Sequence, residues 1–486
     1  MVWISLGLAS AILLYGYDYV IVGTVSAMPR FQEDFGEQMD DGKWILPSDW
    51  LALWNVASPI GGMIGSVAGA WLQDRVGRRT ALGVTSFLSA LAVAVMYVSY
   101  IPAGIQSRRG LFLAGKFFQG GAVGAVVASV QTYMSETLPP VLRGSGMAFF
   151  PVFTLLGQLV GALVIFASLN KHNGYSIAFA SQWPFSFVPI VVAFLIPESP
   201  AFYVRKNRME KALAAQTRLN PPGADAHAIV EKIKADIEHE QLTATSSYME
   251  CFKRQNFRRT FIVVWANALP SLFGLNLLAK ASYFMQVVGM KANLSIIFLI
   301  LGIVLGLLSN AISVWVVSRV DRRPLVYWPF AIVSLLWLSM GVANSFNVTS
   351  PIIWWTAVCM MLVTVVCGVS VWPVSYSVSG ETPALQLRAK TQGIGWTASA
   401  AITAIANVAL PYIFNPDTGN LRGKVGYTYV GLCVIASVVS YFVVPEMKGR
   451  TVGEIDRMFE LGLSARKFKS YVMEDERVPP EKPRWL

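Results

Sequence analysis

The sequence predicts an all-α membrane protein whose twelve spanning helices form two six-helix repeats. Three observations carry that prediction: an excess of apolar residues, about twelve apolar stretches of spanning length, and polar motifs that recur in the same order in the second half. Of the 486 residues, 54% are hydrophobic and 14% charged, with a mean hydropathy of +0.51. A soluble chain of this length has too little interior to bury so much apolar surface, so a lipid bilayer is the first partner the composition implies.

An α-helix needs about 20 apolar residues to cross a hydrocarbon core. Stretches of that kind centre near residues 16, 61, 91, 121, 157, 188, 272, 305, 335, 364, 402 and 436. The first, from about Ile4 to Met28, is too long for the apolar part of a cleavable leader and reads as a span. The sixth is interrupted by Pro184 and Pro189 and the seventh by Pro270, as membrane helices tolerate when neighbours satisfy the freed backbone groups. Between these two lies a polar segment with the helix-like runs MEKALAAQTRL and VEKIKADIEHE. The expected division is therefore a six-helix bundle over 1–197, a helical linker over 198–259, a second six-helix bundle over 260–446 and a tail over 447–486.

Arg205, Lys206 and Arg208 leave the sixth span, and Lys253, Arg254, Arg258 and Arg259 enter the seventh. The positive-inside rule places that linker, and with it both termini, on the cytoplasmic side. Asn293 and Asn347 each begin an Asn-x-Ser/Thr triplet in loops this topology puts outside, which makes them weak candidates for glycosylation.

The halves repeat. Asp74 to Arg79 (DRVGRR) after the second span answers Ser318 to Arg323 (SRVDRR) after the eighth. Glu136 and Arg143 after the fourth answer Glu381 and Arg388 after the tenth, and Pro197-Glu198 after the sixth answers Pro445-Glu446 after the twelfth. The offsets are 244 residues from Arg75 to Arg319, 245 from Glu136 to Glu381 and 248 from Pro197 to Pro445. Nearly constant offsets argue for a parallel repeat with a path between the halves. The positive-inside rule asks only for bases, yet these motifs carry acids too. Glu136, Glu198, Glu381 and Glu446 are thus expected to hold Arg75, Arg79, Arg143, Arg319, Arg322 and Arg388, with Asp74 nearby, as a gate that forms when the cytoplasmic end is shut and breaks when it opens. The alternative is that the motifs only fix topology.

The net charge of +11 sits in short loops between apolar stretches, which excludes a nucleic-acid surface. Cys251, Cys359, Cys367 and Cys433 have no disulfide or zinc spacing. His172, His227 and His239 all lie in loops, so no acid–base or metal cluster sits in a span and an enzyme is not expected. No phosphate-binding loop, cofactor motif or need for a protein partner is visible. Three charges remain inside apolar stretches: Asp18, Lys116 and Lys280. Ionisable groups at membrane depth are functional candidates by default. Asp18 lies about 21 Å into a span entered from inside and Lys116 about 9 Å into one entered from outside, which brings them to one level, where they can pair. Lys280, near the outer end of the seventh span, either snorkels to the interface or binds an anionic solute. Trp372, Tyr376 and Trp396 either line a cavity or serve as packing and interfacial aromatics.

The segments GYD at Gly16, DRVGRR, YMSETLPPVLRG, PESPAFYVRK and PEMKGRT resemble the signatures of major facilitator sugar porters, over nearly the whole chain. Within that family YSIAFASQWPFSFVP, NPDTGNLRGKVGY and GEIDRMFELGLSARKF are similar to fungal maltose and α-glucoside permeases. The resemblance implies a secondary transporter of the plasma membrane that moves a small solute, a glycoside above all, with protons. It makes Asp18 the proton-coupling carboxylate and Lys116 its partner; a static pair is the alternative. The chain departs from the family in the seventh span, where only Gly274 and Asn276 of the sugar-binding pattern survive and Lys280 follows. Pro151, Tyr376, Ser399 and Ala400 replace further sugar ligands. A site built for hydroxyls loses affinity when its polar partners are lost, so export of a less polar or anionic metabolite stands as the alternative substrate class, and a non-transporting receptor as a minor one.

Overall fold

In the computed structural model the described residues are 2–39, 42, 44–137, 150–219, 225–243, 248–347, 349–384, 387–450 and 452–471. The spans are Val2–Val25, Ser48–Val76, Arg78–Tyr97, Ile105–Thr137, Phe150–Ser168, a sixth made of Gly174–Ala180 and Trp183–Leu195, a seventh made of Arg254–Phe273, Leu275–Leu278 and Ala281–Val288, then Ala292–Arg319, Pro324–Ala343, a tenth made of Ser350–Val366 and Trp372–Glu381, Arg388–Phe414 and Gly426–Val443. Ten of these are long and apolar enough to cross a bilayer as they stand. The fifth is shorter, and the seventh is broken into pieces.

The breaks have local causes. Pro184 occupies the first turn of Trp183–Leu195, where a missing N–H costs nothing. Pro270 lies in the last turn of Arg254–Phe273, and Gly274, at φ +113°, terminates that helix in the left-handed region that glycine enters without strain. Lys280 caps the third piece with φ −112°, ψ 17°. In the tenth span a π-turn over Cys367–Val371 precedes Pro373, absorbing a residue where proline cannot donate to the ladder. The sequence reading had no signal for it beyond that proline.

Packing within the first half depends on small residues. A Cβ on Gly65 would lie 1.9 Å from the Gly121 carbonyl oxygen, and one on Gly124 would lie 2.4 Å from that of Gly62, so the second and fourth spans touch backbone to backbone. Of the expected linker, the helices Pro200–Arg205, Met209–Leu219 and Ala226–Thr243 gather around Val204, Ala212 and Val230. In the tail, Val452–Glu460 returns to the second half, where Asp456 accepts a hydrogen bond from Arg259 and Arg258 stacks between Phe459 and Phe468. Asn347 is exposed in the loop before the tenth span, and Asn293 is exposed in the first turn of the eighth helix.

The halves meet at the end away from the repeated motifs. There Gln286 donates to the Ala27 carbonyl, Ser282 to that of Gly23 and Asn415 to that of Leu46. The Ser48 N–H and hydroxyl both bond Asp417.

Candidate functional site

Asp18 and Lys116 come together as their depths require. Lys116 Nζ lies 2.6 Å from Asp18 Oδ1, and both side chains are buried. The other carboxylate oxygen accepts the Ser58 hydroxyl at 2.6 Å. Ser58 lies on the second span, so one carboxylate ties the first, second and fourth helices together. Sequence reasoning missed it, since a serine in an apolar stretch is common and carries no charge to mark it. A buried ion pair is costly to halve, at about 3–5 kcal/mol for loss of one partner. Its charge state is therefore coupled to the packing of these helices.

Lys280 does not snorkel. Its Nζ turns into the protein, where it donates to Asn407 Oδ1 at 2.6 Å, and the residue keeps only 8% of its surface. Asn407 in turn donates to the Asn55 carbonyl of the first half. Lys280 thus stands at the contact between halves, on a break in the seventh span, the kind of discontinuity that builds binding sites in transporters.

The aromatic candidates form a wall. Trp372 Nε1 donates to the Tyr376 hydroxyl at 3.2 Å, and the Tyr376 and Trp396 rings lie 5.7 Å apart. Tyr376 and Trp396 stay 40% and 54% exposed. Gly274 is not part of this wall. A Cβ there would meet Trp337 at 2.8 Å and Tyr429 at 3.4 Å inside the second bundle, so this glycine serves the helix break and its packing. Asn276 is buried beside the break, its Nδ2 without a hydrogen-bond partner.

At the motif end the acids are paired, in the second half by the expected Arg322 and in the first by an arginine outside the expected set. Arg78, which the sequence reading passed over, is the buried one: it bonds Glu136 through two nitrogens, reaches Asp74 at 3.1 Å and donates to the Gln73 carbonyl. Glu198 accepts the backbone N–H groups of Arg78 and Arg79. Arg79 itself donates to the Ala193 and Phe194 carbonyls. The second half repeats this: Arg322 bonds Glu381 and the Val317 carbonyl, Glu446 accepts the N–H groups of Arg322 and Arg323, and Arg323 donates to the Tyr441 carbonyl. Arg75 and Arg319 instead lean over Trp71 and Trp315. Arg143 and the side chain of Arg388 lie outside the described residues. Each of these pairs stays within its own half. Among the described residues no hydrogen bond joins the halves at this end, and the pairs are nonetheless formed, so they are not pairs that opening of this end must break.

Two bundles are joined at one end, with a buried carboxylate–lysine pair inside the first and a second buried lysine at the contact between them. A family model described as "Sugar (and other) transporter" matches residues 4–459. The MFS transporter fmqE of Aspergillus fumigatus is 31% identical over 470 residues, which cover 94% of this chain and 85% of the relative. The alpha-glucosides permease MPH3 of Saccharomyces cerevisiae is 28% identical over 482 residues, covering 96% and 78%. Among solved structures, the partially occluded inward open conformation of the xylose transporter XylE from E. coli superposes with a TM-score of 0.74 at 19% identity, covering 92% of this chain and 98% of that one. The proton:xylose symporter XylE bound to 6-bromo-6-deoxy-D-glucose gives a TM-score of 0.69, also at 19% identity, over 94% and 98%.

Proposed function

The chain belongs to the sugar (and other) transporter family of the major facilitator superfamily, as an integral membrane transporter and not an enzyme, and on that premise we propose that it moves a small polar solute, a glycoside in the first reading, coupled to protons through Asp18. The observation that carries this is the buried Asp18–Lys116 pair with Ser58 on its second oxygen. With Asp18 ionised, the first, second and fourth helices are tied together. Protonation removes the attraction to Lys116, loosens that tie and lowers the cost of re-opening the path. The basic residues around the linker support a cytoplasmic position for both termini, and the permeases the chain resembles support the plasma membrane as its location.

A second reading concerns the solute. Pro151, Ser399 and Ala400 stand where the resemblance puts sugar ligands, and Lys280 follows the altered seventh-span pattern, which favours a less polar or anionic metabolite.

The test is purified protein in liposomes that enclose a pH-sensitive dye, challenged with maltose, trehalose, glucose, organic acids and apolar glycosides. A solute should evoke proton movement in the wild type, and Asp18→Asn should reduce it at least tenfold while solute counterflow persists. Undiminished proton movement in Asp18→Asn would sink the coupling role.

A further inference from the structure

We propose that Lys280, Asn55 and Ser26 form the seat for an anionic group of the solute, a carboxylate, so that the protein carries a small organic anion with an apolar or aromatic body. The inference deepens the reading of this path as a solute path and rests on it. Gly23, Ser26 and Asn55 from the first half and Lys280, Tyr283 and Phe414 from the second line a cleft across the contact between halves. In the closed arrangement that cleft is too narrow for a water molecule.

Its polar groups are an unmatched set of donors. The Lys280 ammonium has three N–H groups; Asn407 Oδ1 takes one, and among the described residues no carboxylate lies within ion-pair distance of it. Asn55 Nδ2 and Ser26 Oγ are buried without a hydrogen-bond partner, in residues that retain 7% and 1% of their surface. Tyr283 cannot compensate, because its hydroxyl already accepts the Leu46 N–H and donates to Asn415. Buried polar groups are normally satisfied, and a buried charge is normally paired. An ammonium, an amide N–H₂ and a hydroxyl facing one cleft call for acceptors carrying negative charge, and a carboxylate supplies two oxygens for them.

Nor is the lysine there for packing alone. It sits on a break in the seventh span, and a Cβ on Gly23 would lie 3.2 Å from Lys280 Cγ, so the two halves touch at this side chain. Closing this end without an anion dries an uncompensated positive charge, while closing it over a carboxylate removes that penalty. The seat therefore makes closure depend on the anion.

The experiment compares wild type, Lys280→Gln and Lys280→Arg in detergent, reading thermal stability and intrinsic tryptophan fluorescence. The probes are benzoate, phenylacetate, indole-3-acetate, pyruvate and lactate, each against its neutral amide. At least one carboxylate should stabilise the wild type while its amide does not; Lys280→Arg should keep the response, and Lys280→Gln should weaken it at least tenfold in midpoint concentration. Carboxylates and amides acting alike, or an unchanged carboxylate response in Lys280→Gln, overturns the proposal. Lys280→Arg reporting a folded protein separates loss of the seat from loss of the fold. Maltose-driven proton movement together with carboxylates and amides acting alike would leave the coupled carrier standing and remove the anion seat. A carboxylate response with no solute movement by any variant in liposomes would do the reverse.

Discussion

Replacing Asp417 with alanine should loosen the closed end of the path by about 1–2 kcal/mol. Ser48 is the first residue of the second span, and its preceding residue, Pro47, offers no side-chain cap. The cap comes instead from the other half: Asp417 accepts the Ser48 N–H at 2.7 Å and the Ser48 hydroxyl at 2.5 Å. Loss of a helix cap costs about 0.5–2 kcal/mol, and hydrogen bonds to a charged group are worth about 1.5–3 kcal/mol. Asp417 is exposed, so solvent screening keeps the sum near the lower end. A shift of about 1–2 kcal/mol changes the closed-to-open ratio about 5–30-fold. Other ties, among them those from Asn415 to Leu46, from Gln286 to Ala27, from Ser282 to Gly23 and from Tyr412 to Asp49, preserve a closed population. The four native cysteines are buried, which permits spin labels on cysteines at the exposed Gln38 and Lys291 and a distance distribution by double electron–electron resonance. Asp417→Ala should add a longer-distance population, and Ser48→Ala on top of it should add less than it does alone, because the two share the hydroxyl–carboxylate bond while Ser48 Oγ also reaches Thr418 and the Pro411 carbonyl. A distribution identical to that of the unsubstituted protein would show that this cap does not hold the end shut.

Further outcomes follow from the same geometry. Arg78→Ala should destabilise the protein by about 3–5 kcal/mol, because it leaves Glu136 partly buried without its partner, whereas Arg75→Ala, which loses only a stack on Trp71, should cost about 0.5–1 kcal/mol; thermal unfolding in detergent compares them, and equal losses would refute the assignment of Arg78 as the held arginine. Gly65→Leu should abolish the folded peak in size-exclusion chromatography, since even a Cβ overlaps the Gly121 carbonyl, while the same change at Gly302, where a Cβ meets nothing within 4 Å, should leave it intact.

The membrane fold was legible because lipid imposes a length on every apolar helix, and its symmetry because the repeated motifs keep their spacing. Asp18 and Lys116 were legible for a related reason: few charges lie at depth, and helix rise alone puts these two level. Arg78 was not. In DRVGRR three arginines share one chemistry, and only the path of the chain after Gly77 decides which one turns back to the Gln73 carbonyl and Glu136. Ser58, Asn55, Asn407 and Asn415 were illegible because an uncharged polar residue in an apolar stretch is ordinary, and its meaning appears only when another helix supplies the partner: Asp18 of the same half for Ser58, the opposite half for the three asparagines. The residues that repeat between halves were readable; those that join the halves have no copy elsewhere in the chain to announce them.

The same contrast bears on how the path works. The paired motifs hold each bundle together from within, so a rocking movement can carry them as rigid parts, and the energetic choice falls on the unrepeated contacts at the other end. Asp18 and Lys280, two of the three buried charges, are coupled by position. Asn55 and Ser58 are three residues apart on one helix, about 4.5 Å along its axis, with the Lys280 cleft at the first and Asp18 at the second. With Asp18 ionised and Lys116 and Lys280 charged, the path carries one net positive charge; protonating Asp18 makes it two. A carboxylate in the cleft lowers each count by one, so it makes proton uptake at Asp18 easier, and by reciprocity a protonated Asp18 tightens the anion. Affinity for the carboxylate should therefore rise as pH falls in the wild type and lose that dependence in Asp18→Asn, which titration of the carboxylate response at several pH values measures directly; an affinity independent of pH in the wild type would separate the two charges and leave Lys280 outside the coupling.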